Sequence, residues 1–161
     1  MNAIELLKQQ HDEVEDLFEQ IEAAEDEGEK LALFQQLADN LAAHAEIEEK
    51  IFYPAAYAKK TEELLREAVE EHLSAKRLIA DLLELSPDDE NFDAKIKVLQ
   101  EQIEHHVEEE EGELFKAARK ELGVNELKTL GTQMQEMFDS LIEKSPSAEV
   151  PQQTDEAAPL P

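Results

Sequence analysis

Four histidines and two glutamates are the residues of this chain whose types and spacing could do chemistry. They are His11, His44, Glu48, His72, His106 and Glu110. Imidazole nitrogens and carboxylate oxygens together form a donor set for iron, manganese or zinc. The chain has no cysteine, so thiolate nucleophiles, disulfides, zinc-finger sites and iron–sulfur ligation are excluded. Any metal ion must therefore be held by nitrogen and oxygen.

The spacing of the histidines places them at matched heights in two helical hairpins. Residues equally far from the short loop of an antiparallel hairpin lie at the same level. His11 and His44 lie on either side of Gly28, which marks a turn. His72 and His106 lie on either side of a Ser-Pro-Asp-Asp loop. Each hairpin is therefore predicted to bring one histidine level with another.

The predicted direction of these side chains is inward. His11, His44 and His106 fall among the apolar residues of helical stripes, and Glu48 and Glu110 follow a histidine by four residues, one turn along the same face. Burying such groups unpaired would cost several kcal/mol for every charge. A bound cation would compensate, and bridging carboxylates suit two cations.

The two halves of the chain resemble each other. His-Ala-Glu-Ile-Glu-Glu-Lys-Ile-Phe-Tyr-Pro begins at His44, and His-Val-Glu-Glu-Glu-Glu-Gly-Glu-Leu-Phe-Lys begins at His106. This alignment selects His106 over His105, which is predicted to lie on the surface with the acidic run around Glu108, Glu109 and Glu111. A repeated hairpin predicts a pseudo-two-fold metal site, each half supplying most of one metal's ligands.

Apolar periodicity predicts the helices that position these residues. The first runs from Ile4 to a turn at Glu27-Gly28, and the second runs to about Lys59 with a kink at Pro54. The third begins at an N-cap, Thr61, and the fourth runs from Phe92 to a C-terminal cap at Gly123. The predicted fold is all-α, an up-down-up-down four-helix bundle over residues 1–123.

Two further segments follow the predicted bundle. Residues 124–144 carry one apolar face, with Leu127, Leu130 and Met134 on it, and are predicted to form a fifth helix packed on the bundle. Residues 145–161 show no apolar period and are rich in Pro, Ala, Gln and Ser. They are predicted to be a disordered tail.

The net charge of −26 argues against nucleic-acid and membrane-surface partners, because phosphate backbones and anionic headgroups would be repelled. The chain shows no signal-peptide pattern and no run of eighteen apolar residues. A cytoplasmic location is therefore expected.

These residues resemble the hemerythrin-like, or HHE cation-binding, family over roughly residues 3 to 120. The resemblance is carried by His11, by His44 with Glu48, by His72 after Glu71, and by His106 with Glu110. It implies two iron ions, joined by an oxo or hydroxo bridge and by Glu48 and Glu110. His11 and His44 would bind one iron, and His72 and His106 the other.

The sequence departs from oxygen-carrying hemerythrins at one position of the third helix. Those proteins have a further histidine one turn after the one that matches His72, where this chain has Lys76. One coordination position would be left for water, for a carboxylate such as Glu71, or for an incoming ligand. Lys116 also replaces the proline expected by analogy with Pro54, so the fourth helix is expected to lack the kink.

Several functions are compatible with such a centre. The favoured hypothesis is a non-enzymatic protein that binds O₂ or a related small molecule, such as peroxide or nitric oxide, for sensing, storage or scavenging. An alternative is a di-iron enzyme that reduces peroxide or nitric oxide or oxidises ferrous iron, with Lys76 donating a proton. Others are an iron store or donor and a purely structural bundle. Repair of iron–sulfur clusters is not favoured, because family members with that role often carry a cysteine-bearing segment and this chain has no cysteine.

Overall fold

The computed structural model describes Met1–Pro161 and confirms the predicted all-α bundle. Its α-helices are α1 (Ala3–Ala23), α2 (Glu27–Ile47), α3 (Tyr53–Ala56), α4 (Glu62–Leu83), α5 (Phe92–Glu109), α6 (Phe115–Glu121) and α7 (Val124–Glu143). A π-helical turn, Glu48–Phe52, joins α2 to α3, and a second, Glu110–Leu114, joins α5 to α6. The bundle therefore consists of four long rods: α1, α2 with α3, α4, and α5 with α6.

Local side-chain chemistry sets where the first two helices begin. Asn2 and Glu5 form a capping box, in which each side chain accepts a hydrogen bond from the other residue's backbone N–H. Asp26 caps α2 by accepting from the N–H of Glu29. Because this cap starts α2 at Glu27, Gly28 lies inside the helix, and the predicted end of the first helix at Glu27-Gly28 is wrong.

Of two other predicted caps, Thr61 is the N-cap residue of α4, as predicted, whereas Gly123 does not cap the fourth rod. Thr61 precedes α4, but its hydroxyl donates to the carbonyl of Ala56 and makes no capping bond to the helix. Gly123 does not close the fourth rod, because the chain leaves the helix at Leu122 in an extended conformation. Gly123 is instead the residue before α7.

Both π turns begin at the glutamate of a His-xxx-Glu pair, at Glu48 and at Glu110. A π turn inserts one extra residue into the helical hydrogen-bond ladder. The two rods therefore carry the same irregularity, although only one has a proline, Pro54. The secondary structure of the second and fourth rods therefore does not differ in the way that Pro54 alone would predict.

The core is divided into two apolar clusters. One cluster includes Ile4, Leu7, Phe52, Leu65 and Phe115, and it also holds the buried residues of α7. The other is built on residues further along α1, including Val14 and Phe18, packed against α2, α4 and α5, and it includes Phe34, Ile79 and Leu99. The six predicted site residues belong to neither cluster.

Helix α7 packs on the bundle, as predicted. Leu127, Leu130 and Met134 are buried in the first cluster. A Cβ on Gly131 would lie 2.5 Å from the carbonyl oxygen of Met1 and 2.8 Å from the backbone nitrogen of Ala3. Helix α7 therefore lies against the backbone of the N-terminus.

The predicted disorder of residues 145–161 is wrong. Pro146–Gln153 form a 3₁₀ helix that packs between α2 and α4, and Val150 is fully buried in the second cluster. Ala157, Ala158 and Leu160 pack on the first cluster. A few apolar residues without a helical period therefore suffice to anchor the segment, because each one meets a preformed apolar surface. None of the helices is both long and apolar enough to cross a bilayer.

Candidate metal centre

The structure brings all six predicted site residues together in the middle of the bundle. His11 comes from α1, His44 from α2, His72 from α4 and His106 from α5, while Glu48 and Glu110 open the two π turns. Their side chains are at most 8% exposed, and those of the glutamates no more than 1%. They form two groups of possible ligands, His11–His44–Glu48–Glu110 and Glu48–His72–His106, that share Glu48.

The histidines pair within each hairpin, as the spacing predicts. The ring centroids of His11 and His44 are 4.9 Å apart, and those of His72 and His106 are 4.8 Å apart. The Nε2 atoms of His72 and His106 lie 3.3 Å from each other. Each hairpin therefore presents two imidazoles to one point in the core.

Each glutamate reaches one histidine of each hairpin. Oε1 of Glu48 lies 3.2 Å from Nε2 of both His44 and His72. Oε1 of Glu110 lies 3.1 Å from Nε2 of His11, and its Oε2 lies 3.4 Å from Nε2 of His106. Both carboxylates thus span the two histidine pairs, which is the placement that a bridging carboxylate requires.

Every histidine is also held from behind through Nδ1. The partners, each at 2.7 Å, are Glu111 for His11, Gln10 for His44, Glu49 for His72 and Glu71 for His106. A carboxylate or an amide oxygen can only accept, so each Nδ1 must carry the hydrogen. In the neutral ring, Nε2 is then the lone-pair nitrogen, and it faces the core.

These supporting residues repeat in the two halves of the chain. Gln10 and Glu71 each precede the first histidine of their half, and Glu49 and Glu111 each follow the inward glutamate. The sequence analysis did not assign these roles, although its alignment of the halves contains the signal. Glu111 supports His11 rather than belonging only to the solvated face, and Glu71 bonds the outer nitrogen of His106.

Carboxylates shift the protonation of several site groups. Burial acts against the charged form of His106, but Glu110 and Glu71 outweigh it and hold the pKa of this imidazole well above its ordinary range. Against burial, the carboxylates of the site likewise raise the pKa of His11 and His72. Burial favours neutral Glu110, but the surrounding histidines lower the pKa of its carboxyl well below the usual value.

Five of the inner nitrogen and oxygen atoms that could bind metal lack hydrogen-bond partners. Nε2 of His11 and His44, both oxygens of Glu48 and Oε1 of Glu110 are buried without one, although several of them lie close together. An unsatisfied buried polar group costs about 1–3 kcal/mol, so five of them would offset much of a typical domain stability of about 5–15 kcal/mol. These atoms, all nitrogen and oxygen, form a donor set that fits bound metal.

Tyr53 is a site residue that the sequence analysis missed. It is fully buried, its hydroxyl donates to Oε2 of Glu110 at 2.6 Å, and its oxygen lies 3.4 Å from Nε2 of His72. Its ring stacks on His72 as Phe115 stacks on His11. Tyr53 and Phe115 each lie five residues after the inward glutamate, so one half of the centre has a phenol where the other has none.

The two remaining candidates lie outside the inner layer. Nζ of Lys76 is 3.1 Å from Oε1 of Glu49 and does not contact the inner donors. Glu49 in turn holds His72, so Lys76 acts on the site through Glu49. The side chain of His105 is 62% exposed and pairs with Glu71 and Glu109, which agrees with the surface position predicted for it.

An apolar cavity of about 40 Å³ lies beside the histidines. All four imidazoles line it, and the rest of its wall is mostly aliphatic, with Val14, Ile79, Ile103 and Val150 among the lining residues. Since one water molecule needs about 10–15 Å³ of such space, the cavity has room for a molecule of two or three heavy atoms. The cavity thus places a small apolar chamber against the candidate ligands.

Four helical rods around a buried histidine–glutamate layer define a four-helix-bundle protein of the cation-binding class. The model of the hemerythrin HHE cation binding domain matches residues 2–118. The chain belongs to this family.

Two relatives extend the comparison. The crystal structure of a hemerythrin HHE cation binding domain-containing protein, the Rv2633c homolog from Mycobacterium kansasii, superposes with a TM-score of 0.79 at 26% identity, over 89% of each chain. A DNA nickase from Nostoc sp. (strain PCC 7120 / SAG 25.82 / UTEX 2576) is 29% identical over 133 residues. That match covers 83% of this chain but 38% of the nickase.

Proposed function

We propose that this chain is a non-heme di-iron protein that binds O₂ or a related small molecule for sensing, storage or scavenging. The observation that carries the proposal is the pair of overlapping donor groups that share Glu48, with buried donor atoms that have no other partner. Membership of a cation-binding family supports it. His11 and His44 would hold one ion, His72 and His106 the other, and Glu48 and Glu110 would bridge them.

The iron pair would supply reversible redox chemistry and an open position for a small ligand. The protein's own residues do the rest. The Nδ1 partners fix the four rings with Nε2 inward and make the imidazoles better donors. The aliphatic wall of the cavity excludes water from the inner layer and favours an uncharged ligand. Location in the cytoplasm is part of the proposal.

Turnover of peroxide or nitric oxide is a second candidate, favoured by Tyr53. Its hydroxyl, which donates to Oε2 of Glu110, is an O–H group within the inner layer, where the reduction of peroxide or nitric oxide would consume protons. Burial and the nearby Glu110 and Glu48 raise the pKa of this phenol well above its ordinary value, so it stays protonated. A variant with Phe at position 53 should lose turnover and still bind the small molecule.

DNA nicking is not part of the proposal. The match to the nickase covers only 38% of that protein, so its activity is not carried over to this chain. The net charge of −26 would also repel a phosphate backbone.

The decisive experiment is metal analysis of the full chain made in iron-supplemented medium, combined with absorption spectra before and after anaerobic reduction and re-exposure to air. The proposal predicts about two irons per chain, one for each histidine pair, and near-ultraviolet absorption that bleaches on reduction and returns with O₂. Iron below about half an ion per chain, with a melting temperature that chelators do not change, would sink it.

A matched pair of adjacent histidines tests the ligand assignment. His106→Ala should lower the bound iron and remove most of the stabilisation by metal, because Nε2 of His106 faces Glu110. His105→Ala should do neither, because the exposed His105 contacts Glu109 and Oε2 of Glu71, whereas His106 is held by the other oxygen of Glu71. Equal losses in the two variants would contradict the assignment.

A further inference from the structure

The C-terminal segment covers the cavity on the side where α2 and α4 meet. Val150, at the middle of the 3₁₀ helix Pro146–Gln153, is fully buried and lines the cavity together with the four imidazoles. Leu41 and Ala42 of α2 and Ala75 and Ile79 of α4 line the cavity on the two sides of this crevice. Residues that had no predicted structure thus form one wall of the chamber.

The segment is tied to both helices that it crosses. Before Val150, the backbone N–H of Ser147 donates to Oδ1 of Asp39 on α2 at 3.0 Å. After it, Nε of Arg77 on α4 donates to the carbonyl of Thr154 at 3.0 Å. Nη2 of Arg77 lies 3.4 Å from the carbonyl of Asp155. Hydrogen bonds before and after Val150 in the chain therefore hold this part of the segment against α2 and α4.

The outside of this wall is a second, solvent-facing pocket of about 290 Å³. It is lined by Ala42 and Lys76 from the helices and by Gln153 and residues 156–159 from the C-terminal segment. Ala42 and Lys76 line the inner cavity as well. The inner cavity and the outer pocket thus meet at the edge of the segment, with Lys76 held by Glu49 between them.

We propose that residues 146–155 form a strap that closes the α2–α4 side of the small-molecule cavity, and that Val150 determines how large a molecule the cavity accepts. That Val150 selects the ligand of a metal centre by size rests on the proposed function, but the existence of the strap and of the cavity does not. An isopropyl group at this position leaves room for a molecule of two or three heavy atoms. A shorter side chain would enlarge the chamber, and an aromatic one would fill it.

Xenon tests the assignment of Val150, because it binds dry apolar cavities whether or not a metal is present. Crystals of the full chain are pressurised with xenon, and the anomalous signal is located. Unchanged protein should show a xenon atom beside the imidazoles, and Val150→Ala should raise its occupancy. Val150→Phe should lose the signal, while the control Val98→Phe, at a position 43% exposed on α5, should keep it.

Amide hydrogen exchange tests the strap in solution. Arg77→Ala removes the hydrogen bonds to the carbonyls of Thr154 and Asp155, so exchange of the Ser147 amide should become about threefold faster or more, since even one lost hydrogen bond implies that change. Arg66→Ala is the control, because Arg66 also lies on α4 but pairs only with Glu62 of its own helix. Equal exchange in the two variants would overturn the strap.

The outcomes separate this proposal from the proposed function. Xenon retained beside the imidazoles in Val150→Phe, with the melting temperature unchanged, would overturn the role of Val150 while leaving the metal centre intact. An iron-free chain that still loses xenon in Val150→Phe would keep the strap and refute the centre.

Discussion

At the scale of single residues, the two halves of the centre match in packing but differ in chemistry. Tyr53 corresponds to Phe115, and Gln10 corresponds to Glu71, so one half has a hydroxyl that the other lacks and one imidazole has a neutral partner. The alignment of the halves selects the six residues that the structure brings together in the core. It does not predict their partners, because a residue's neighbour in sequence does not show which way its side chain turns.

The hydroxyl of Tyr53 should stabilise the metal-free protein. Tyr53→Phe removes its hydrogen bond to a buried carboxylate, and bonds to charged groups contribute about 2 kcal/mol. Tyr57→Phe, at a half-buried position for which the structure shows no side-chain hydrogen bond, is the control. Urea denaturation of chelator-treated protein should show the loss for Tyr53→Phe only, and equal midpoints would contradict the role of the hydroxyl.

The raised pKa values of His11, His72 and His106 give metal-free and metal-loaded protein opposite responses to pH. Without metal, the stability from these histidines is fully present below their ordinary pKa of 6.5 and is lost as pH rises through the raised values. The contribution of Glu110, whose pKa is lowered, is present above 4.5 and is lost as pH falls through the lowered value. Metal must displace the histidine protons, so its binding strengthens with rising pH.

The gap in melting temperature between loaded and chelator-treated protein should therefore widen as pH rises through the range above 6.5, the ordinary histidine pKa. Calorimetry of both forms across this range measures it. A constant gap would mean that the histidines do not release protons when the metal binds.

At the scale of elements, the apolar spacing predicts the long helices well and their ends poorly. Leu7, Val14 and Phe18 lie on a buried stripe, and that periodicity is visible in the sequence. The helix ends depend on single side-chain hydrogen bonds, such as the one that Asp26 accepts. The π turns begin at Glu48 and Glu110, and apolar spacing does not indicate them. Periodicity does not predict the 3₁₀ helix, because Val150 is its only residue within an apolar cluster and a single contact gives no period.

Two glycines in helical segments should respond oppositely to alanine. A Cβ on Gly131 would meet the backbone of residues 1–3 at under 3.0 Å, so Gly131→Ala should push α7 away from α1. A Cβ on Gly112 would meet nothing within 4 Å, so Gly112→Ala should stabilise its turn by about 0.5–1 kcal/mol. Thermal unfolding of the two variants measures the contrast, and a higher melting temperature for Gly131→Ala would show that α7 does not pack as described.

At the scale of the whole molecule, the polar layer separates one apolar cluster from the other. The first cluster joins the start of α1, α7 and residues 157–160, and the second holds residues further along α1, the starts of α2 and α5, and Val150. The two are connected by the helical backbones, by the six inner side chains and by the C-terminal segment, which contacts the second cluster through Val150 and the first through Leu160. This division follows from placing a hydrophilic site in the middle of a bundle whose stability comes from apolar burial.

The division sets the cooperativity of unfolding. Because the two ends of the bundle hold separate apolar clusters, the metal-free ends should open as separate units, with different protection of their amides from hydrogen exchange. With metal, ligands from all four rods are joined at one point, and the ends should open together. Amides near Leu7 and near Phe34 should therefore show unequal opening free energies after chelation and equal ones after metal loading. The metal would then couple two small folding units into one cooperative unit.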